Sequence, residues 1–184
     1  VVWDRDTYPY LADVQWADSQ RLLLTVQSRD QRSLMVLAAD PRHGGTEPIF
    51  ADGDTAWVEL VPGTPAVLDD GQLVMTADRD GARRLMVDGN AVTPIDLQVR
   101  AVVTAQDDEV YFLANPIADA TVQHVWRWRT DGTLAALTDE PGVHTATVGG
   151  PTVVLRTAVL DEPGATTQVV DGPTDGGNED RQVG

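Results

Sequence analysis

The side chains of this 184-residue chain that could do chemistry are a handful of serines, three histidines and 29 carboxylates, set against 13 basic groups. Acyl transfer through serine needs the hydroxyl raised on a strained Gly-x-Ser-x-Gly turn, with an acid and a histidine later in the chain. Ser19, Ser28 and Ser33 have no glycine two residues away, and their neighbours mark them as turn residues or strand starts. A triad of that kind is not expected from this segment, and no catalytic residue is assigned. His43, His124 and His144 lie far apart in sequence and lack the i,i+4 spacing of a zinc helix. His43 falls in the turn Pro41-Arg42-His43-Gly44-Gly45, where water should surround it, while His124 and His144 begin strands. The absence of cysteine removes disulfides, zinc thiolates and a thiol nucleophile together. No metal site and no cofactor are expected.

The carboxylates are too many for neighbouring pairs to be informative. Asp69-Asp70, Asp107-Asp108-Glu109 and Asp139-Glu140 fall where hairpins should turn, so they read as solvated turns. No Asp-x-Asp-x-Asp-Gly calcium loop with a distal glutamate is present. Every basic residue is arginine, which excludes P-loop, Schiff-base and Ser-Lys chemistry. The net charge of −16 is spread along the chain and repels phosphate backbones, which argues against a nucleic-acid partner. No apolar run approaches 18 residues, so no membrane span is expected. Val1-Val2-Trp3-Asp4 carries no charged region ahead of an apolar one and reads as a cut inside a longer protein.

The elements that must position these residues are strands. Short stretches rich in Val, Leu, Thr and Trp recur between turn signals, and none carries a helical stripe longer than about two turns. Asp-Gly pairs at 52–53, 70–71, 80–81, 88–89, 131–132, 171–172 and 175–176 supply the left-handed conformations that tight hairpins require. Four hairpins repeat: Leu22–Val26 with Leu34–Leu37, Leu73–Ala77 with Leu85–Val87, Val110–Ala114 with His124–Trp128, and Val153–Thr157 with Thr167–Val170. Their starts are roughly 50, 37 and 43 residues apart, the period of a four-stranded propeller blade. A preceding strand is expected at Tyr10–Trp16, Ala56–Leu60, Leu97–Val103 and Val143–Val148, and a following one at Glu47–Phe50, Val92–Ile95 and Leu134–Leu137. The expected fold is therefore all-β, a partial β-propeller of about four blades over residues 8–50, 55–95, 97–138 and 143–172 within one domain, 1–172. Residues 173–184 are polar and breaker-rich, and read as loop or a disordered end. A β-sandwich also gives short strands at this spacing, but the repeat favours the propeller. The tryptophans at 3, 16, 57, 126 and 128 are expected to pack between blades, with Trp126 and Trp128 on one strand face and Arg127 and Arg129 on the other.

The order of these motifs resembles the propeller of dipeptidyl peptidase IV-type prolyl oligopeptidases over roughly residues 8–160. The likeness rests on Tyr10-Leu11-Ala12-Asp13-Val14-Gln15-Trp16, Arg29-Asp30-Gln31, Ala56-Trp57-Val58-Glu59-Leu60, Arg79-Asp80-Gly81-Ala82-Arg83-Arg84-Leu85, Val110-Tyr111-Phe112, His124-Val125-Trp126-Arg127 and Leu137-Thr138-Asp139-Glu140-Pro141-Gly142-Val143-His144. Ala82 departs from the aromatic usual in its turn, and the family's Pro-Asp-Gly turns are thinned out. The resemblance implies an eight-bladed propeller that gates peptide access, followed by a C-terminal α/β-hydrolase domain that holds the serine, acid and histidine. The family's paired glutamates for the substrate amine have no counterpart here. The segment carrying Trp57 and Glu59 is similar to one near the family's substrate channel, which makes these two the candidates for peptide contact. The implied function is a non-catalytic gating segment of a peptidase that removes N-terminal dipeptides, with Pro or Ala in the second position. The alternative is a non-enzymatic binding or scaffold propeller of the TolB-like kind. Open blade faces also suggest that two copies pair as a homodimer.

Overall fold

A computed structural model describes residues 1–17 and 21–171, which form fifteen strands and, among the described residues, no helix. The chain divides into two compact units: Val1–Leu60 with Pro65–Val67, and Val61–Thr64 with the chain from Leu68 onward.

The first unit holds one antiparallel sheet of β1 (Tyr10–Trp16), β2 (Leu22–Gln27), β3 (Ser33–Ala39) and β4 (Thr46–Gly53), hydrogen-bonded in chain order, and the two-residue β5 (Ala66–Val67). A bulge between Leu11 and Asp13 changes the alternation of β1, so that Leu11, Val14 and Trp16 stand opposite Val26, Leu24 and Leu22 on one face. On that face Leu24, Val26, Leu37 and Ala39 are buried, with Trp3 and Tyr8 packed against them. The chain ahead of β1 is folded back by Asp4, whose Oδ1 accepts the Asp6 and Thr7 amides, and by Trp3 Nε1 donating to the Tyr8 carbonyl at 2.9 Å. This covering stops short of β1. Leu11, Val14 and Trp16 stay exposed, so Trp16 does not serve as the packing residue expected of it.

The second unit begins with β6 (Leu73–Arg79), β7 (Ala82–Val87) and β8 (Asn90–Ala91). Both residues of Asp80-Gly81 and of Asp88-Gly89 have positive φ, as two-residue type I′ hairpins require. A second sheet of the unit runs β12-β11-β10-β9, built from β9 (Leu97–Gln106), β10 (Glu109–Pro116), β11 (His124–Arg129) and β12 (Leu134–Ala136). A third, of three strands among the described residues, runs β13 (Val143–Gly149), β14 (Thr152–Ala158), β15 (Thr166–Asp171). Tyr111 and Val125 of one pack with Val153 and Leu155 of the other, and Leu113, Ala146 and Val148 close the cluster.

Three local expectations are corrected. Ala56–Leu60 is an exposed loop and not a strand; Pro62 and Pro65 follow it, and Gly63 adopts φ +81 with its Cα against the Val102 carbonyl. No strand forms at Val92–Ile95; the outer strand is β8, just before it, and the buried Thr93 turns its hydroxyl inward to accept the Leu85 amide at 3.0 Å. Its carbonyl accepts Arg84 Nε at 2.5 Å, so side-chain bonds replace the ladder. Asp52-Gly53 lies inside β4 opposite Leu34 and Ser33 and makes no turn. Ser19, the Asp175-Gly176 pair and the stretch 173–184 lie outside the described residues.

Candidate functional site

Trp57 and Glu59 sit on the loop of residues 54–60, and both are exposed, Trp57 to 63%. Asp54 opens the loop as an Asx turn: its amide donates to the Arg32 carbonyl at 2.9 Å and its Oδ1 accepts the Ala56 amide at 2.6 Å. The middle is pinned by main chain. Val58 donates its amide to the Gln31 carbonyl at 2.7 Å and accepts Nε2 of the buried Gln27 at 3.1 Å. Gln31 presents that carbonyl from a left-handed conformation, φ 58°, within the β2–β3 turn. The turn is itself held by Ser28 and Asp30, whose side chains bond at 2.7 Å. That bond and the Arg32 amide keep the Asp30 carboxyl below its usual range. With both polar groups of Val58 engaged, the flanking Trp57 and Glu59 are positioned by the backbone and left outside the core. An indole and a carboxylate two residues apart supply an apolar surface and a negative charge, which suits binding and offers no nucleophile. Trp57 is thus not a packing residue. The anchors Gln27 and Gln31 were not singled out from the sequence, where a glutamine at a strand end carries no distinguishing signal.

The carboxylates divide between water and the interior. Asp107 and Asp108 turn the β9–β10 hairpin and are exposed, as expected. Glu109 is different: its Oε1 accepts Arg127 Nη1 at 3.0 Å and its Oε2 accepts the Tyr111 hydroxyl at 2.5 Å. Alternation along β10 and β11 places Glu109, Tyr111 and Arg127 on one face, and Arg127 is only 8% exposed. Burial first, and then the glutamate, push the Tyr111 pKa up to about 12, so the phenol stays protonated as a donor. The pair is a part-buried ion pair that anchors the phenol, with Arg127 Nε left without a hydrogen-bond partner. Trp128 on the opposite face is buried as expected.

The histidines depart from expectation in one respect. His43 is solvated, with Nε2 at 2.8 Å from Asp40 Oδ2. His124 and His144, distant in sequence, stack with ring centroids 5.4 Å apart and planes at 22°. Only the pairing of separate strands brings them together, so spacing could not show it. Ser28 and Ser33 are turn and strand-start residues. Among the described residues no group of three His, Asp or Glu side chains could hold a metal ion. An open cleft of about 730 Å³ beside the β3–β4 turn is lined by Arg21, Asp40, Arg42, His43 and Glu47, whose mixed charges favour neither sign of ligand. No helix of the described residues is long and apolar enough to cross a membrane.

Consecutive antiparallel sheets of three or four strands, each built from chain neighbours and stacked through aliphatic faces in the second unit, define blades of a β-propeller. The family model for the dipeptidyl peptidase IV (DPP IV) N-terminal region matches residues 1–152, and the chain belongs to that family. Among solved structures it is similar to dipeptidyl peptidase 4 of Porphyromonas gingivalis, with a TM-score of 0.74, 13% identity and coverage of 88% of this chain and 24% of that one. It is also similar to a puromycin hydrolase (TM-score 0.64, 14% identity, 90% and 27% covered) and to oligopeptidase B from Trypanosoma brucei (0.57, 14%, 87% and 25%). At these identities the likeness is one of fold. The chain spans about a quarter of the length of each protein.

Proposed function

We propose that this chain is the substrate-gating propeller segment of a dipeptidyl peptidase IV-like serine peptidase, and that the nucleophile lies on an α/β-hydrolase domain of the same enzyme. The segment by itself is inactive, and the whole enzyme releases dipeptides from the N-termini of peptides. One observation carries this reading: a family match over residues 1–152 in a chain whose Ser28 and Ser33 are occupied in turn geometry. Residues 1–172 act in it as one propeller domain. Trp57 and Glu59 contact the peptide on its way to the nucleophile, a role supported by their exposure on a loop pinned at Val58.

The test uses the full-length enzyme and a chromogenic Xaa-Pro substrate. Glu59→Ala and Trp57→Ala are each expected to lower kcat/KM by roughly tenfold, mainly through KM, as lost binding shared by ground and transition states does. Unchanged kcat/KM in both would remove the loop from the site. A coding sequence without a Gly-x-Ser-x-Gly element followed by Asp and His would remove the peptidase reading altogether.

A further inference from the structure

In the second unit the sheet ending in β12 and the sheet starting at β13 are joined by a short parallel clasp. Gln123 and Val143 form the bridge. Gln123 donates its amide to the Gly142 carbonyl at 3.0 Å, and His144 donates its amide to the Gln123 carbonyl at 2.8 Å. Gln123 Nε2 adds a bond of 3.1 Å to the His144 carbonyl. The stacked histidines lie beside this clasp, one contributed by each sheet. His144 is 3% exposed, and both its nitrogens are engaged. Nε2 lies 2.8 Å from the Glu140 carbonyl, which can only accept, so Nε2 carries the hydrogen. Nδ1 lies 2.8 Å from the Thr157 hydroxyl, which can donate to it. His124 is half-buried, with Nδ1 at 3.4 Å from Thr138 Oγ1, an oxygen that also accepts the Val125 amide at 3.0 Å.

We propose that the His124–His144 stack is an acid-sensitive latch: the stacked rings hold the clasp shut, and a proton on His124 releases it. A cation at His124 would be half removed from water and would stack against the His144 ring, whose Nε2 is already committed to the Glu140 carbonyl. The charged groups around it are few. Asp119 precedes β11, and its carboxylate is held by the Thr121 amide and hydroxyl at 2.9 and 2.6 Å. Asp139 and Glu140 belong to the connection between β12 and β13, Glu140 offering its carbonyl to His144. On β14, Arg156 precedes Thr157 and takes the opposite face of the strand. Burial, and after it His144, hold the His124 pKa below the ordinary 6.5, and the opposing pull of Asp139 and Asp119 is smaller. Once the clasp opens, the ring returns to water and its ordinary value. The open form therefore takes the proton first. The contribution of His124 to the closed form is complete above about pH 6.5 and is lost as pH falls through the lower value of the closed state.

Amide hydrogen exchange of the 184-residue protein, corrected for intrinsic rates, reads the latch directly. Between about pH 7.5 and about pH 5.5 the Gln123 and His144 amides are expected to lose protection several-fold, with about tenfold as the ceiling, while the Val110 and Phe112 amides inside the sheet keep theirs. His124→Gln, which keeps a polar group but cannot titrate, should abolish the step. Equal protection of the wild-type clasp at the two pH values would overturn the proposal, and so would a step that persists in His124→Gln. The wild-type comparison stands even if the variant folds poorly.

Discussion

Ala56-Trp57-Val58-Glu59-Leu60 and Val143-His144-Thr145-Ala146-Thr147-Val148 carry a similar mixture of apolar and polar residues, and only the second is a strand. In β13 every residue faces a partner on β14, from Val143 opposite Ala158 to Gly149 opposite Thr152, and Ala146 and Val148 enter the cluster around Leu155. In the 54–60 loop the Asp54 carboxylate caps the turn at Ala56, the main chain of Val58 is bonded at both its amide and its carbonyl, and the flanking Trp57 and Glu59 are exposed. A strand-like composition thus becomes a strand where a ladder and an apolar partner are both present. Where backbone bonds to a turn replace the ladder, the same composition leaves an aromatic ring and a carboxylate exposed at the surface. Polar groups in the β9–β12 sheet and in β13 are architecture, as Glu109 with Arg127 and His144 with Thr157 show.

The contrast can be broken first at its buried end. Leu155 is 6% exposed and belongs to the cluster against which Ala146 and Val148 pack. Leu155→Ala is expected to destabilise the protein by about 3 kcal/mol, the transfer of the lost methylenes plus the cavity left behind. Urea unfolding followed by tryptophan fluorescence measures it, and a cost under about 1 kcal/mol would mean that this packing does not hold β13 in place.

The next effect belongs to the chain just after the loop. Gly63 has φ +81, and a Cβ there would collide with the Val102 carbonyl, next to the bond that Val102 donates from its amide to the Pro62 carbonyl at 2.9 Å. Gly63→Ala adds left-handed strain and a backbone clash, and should cost about 2 kcal/mol in the same unfolding measurement. If Gly63→Ala were neutral, the Pro62-Gly63 turn would not be held against Val102.

Much of this architecture is legible in the residues. The β2–β3, β6–β7, β10–β11 and β14–β15 hairpins lie where apolar runs and turn residues placed them, and β1 spans Tyr10–Trp16 as expected. What escaped reading depends on partners remote in sequence. Nothing in Thr93 announces that its hydroxyl will take the Leu85 amide, and nothing in Gln31 announces that its carbonyl will take Val58. The bulge after Leu11 hides in an ordinary alternation, yet it decides that Leu11, Val14 and Trp16 share a face. Of the site, the residue types at 57 and 59 could be named in advance, while their exposure could not, because the same tryptophan in a strand would have been core.

The smallest effect sharpens the other end of the contrast. Gln27 is 5% exposed and donates Nε2 to the Val58 carbonyl, one of the two bonds that pin the loop at Val58. Gln27→Leu keeps the volume and the burial and removes only that donor, so the cost should be about 1 kcal/mol, the net worth of one hydrogen bond. The Val58 amide still has Gln31, and the loop is expected to loosen without detaching. Limited proteolysis should then cut within residues 54–60 several-fold faster, while cleavage in the β9–β12 sheet stays unchanged. If main-chain anchoring is what presents Trp57 and Glu59, the whole enzyme carrying Gln27→Leu should also lose kcat/KM with its unfolding midpoint barely moved. A loop equally resistant to protease in the variant would mean that Trp57 and Glu59 are held by their own contacts, and the distinction between a loop fixed by backbone and a strand fixed by side chains would no longer stand.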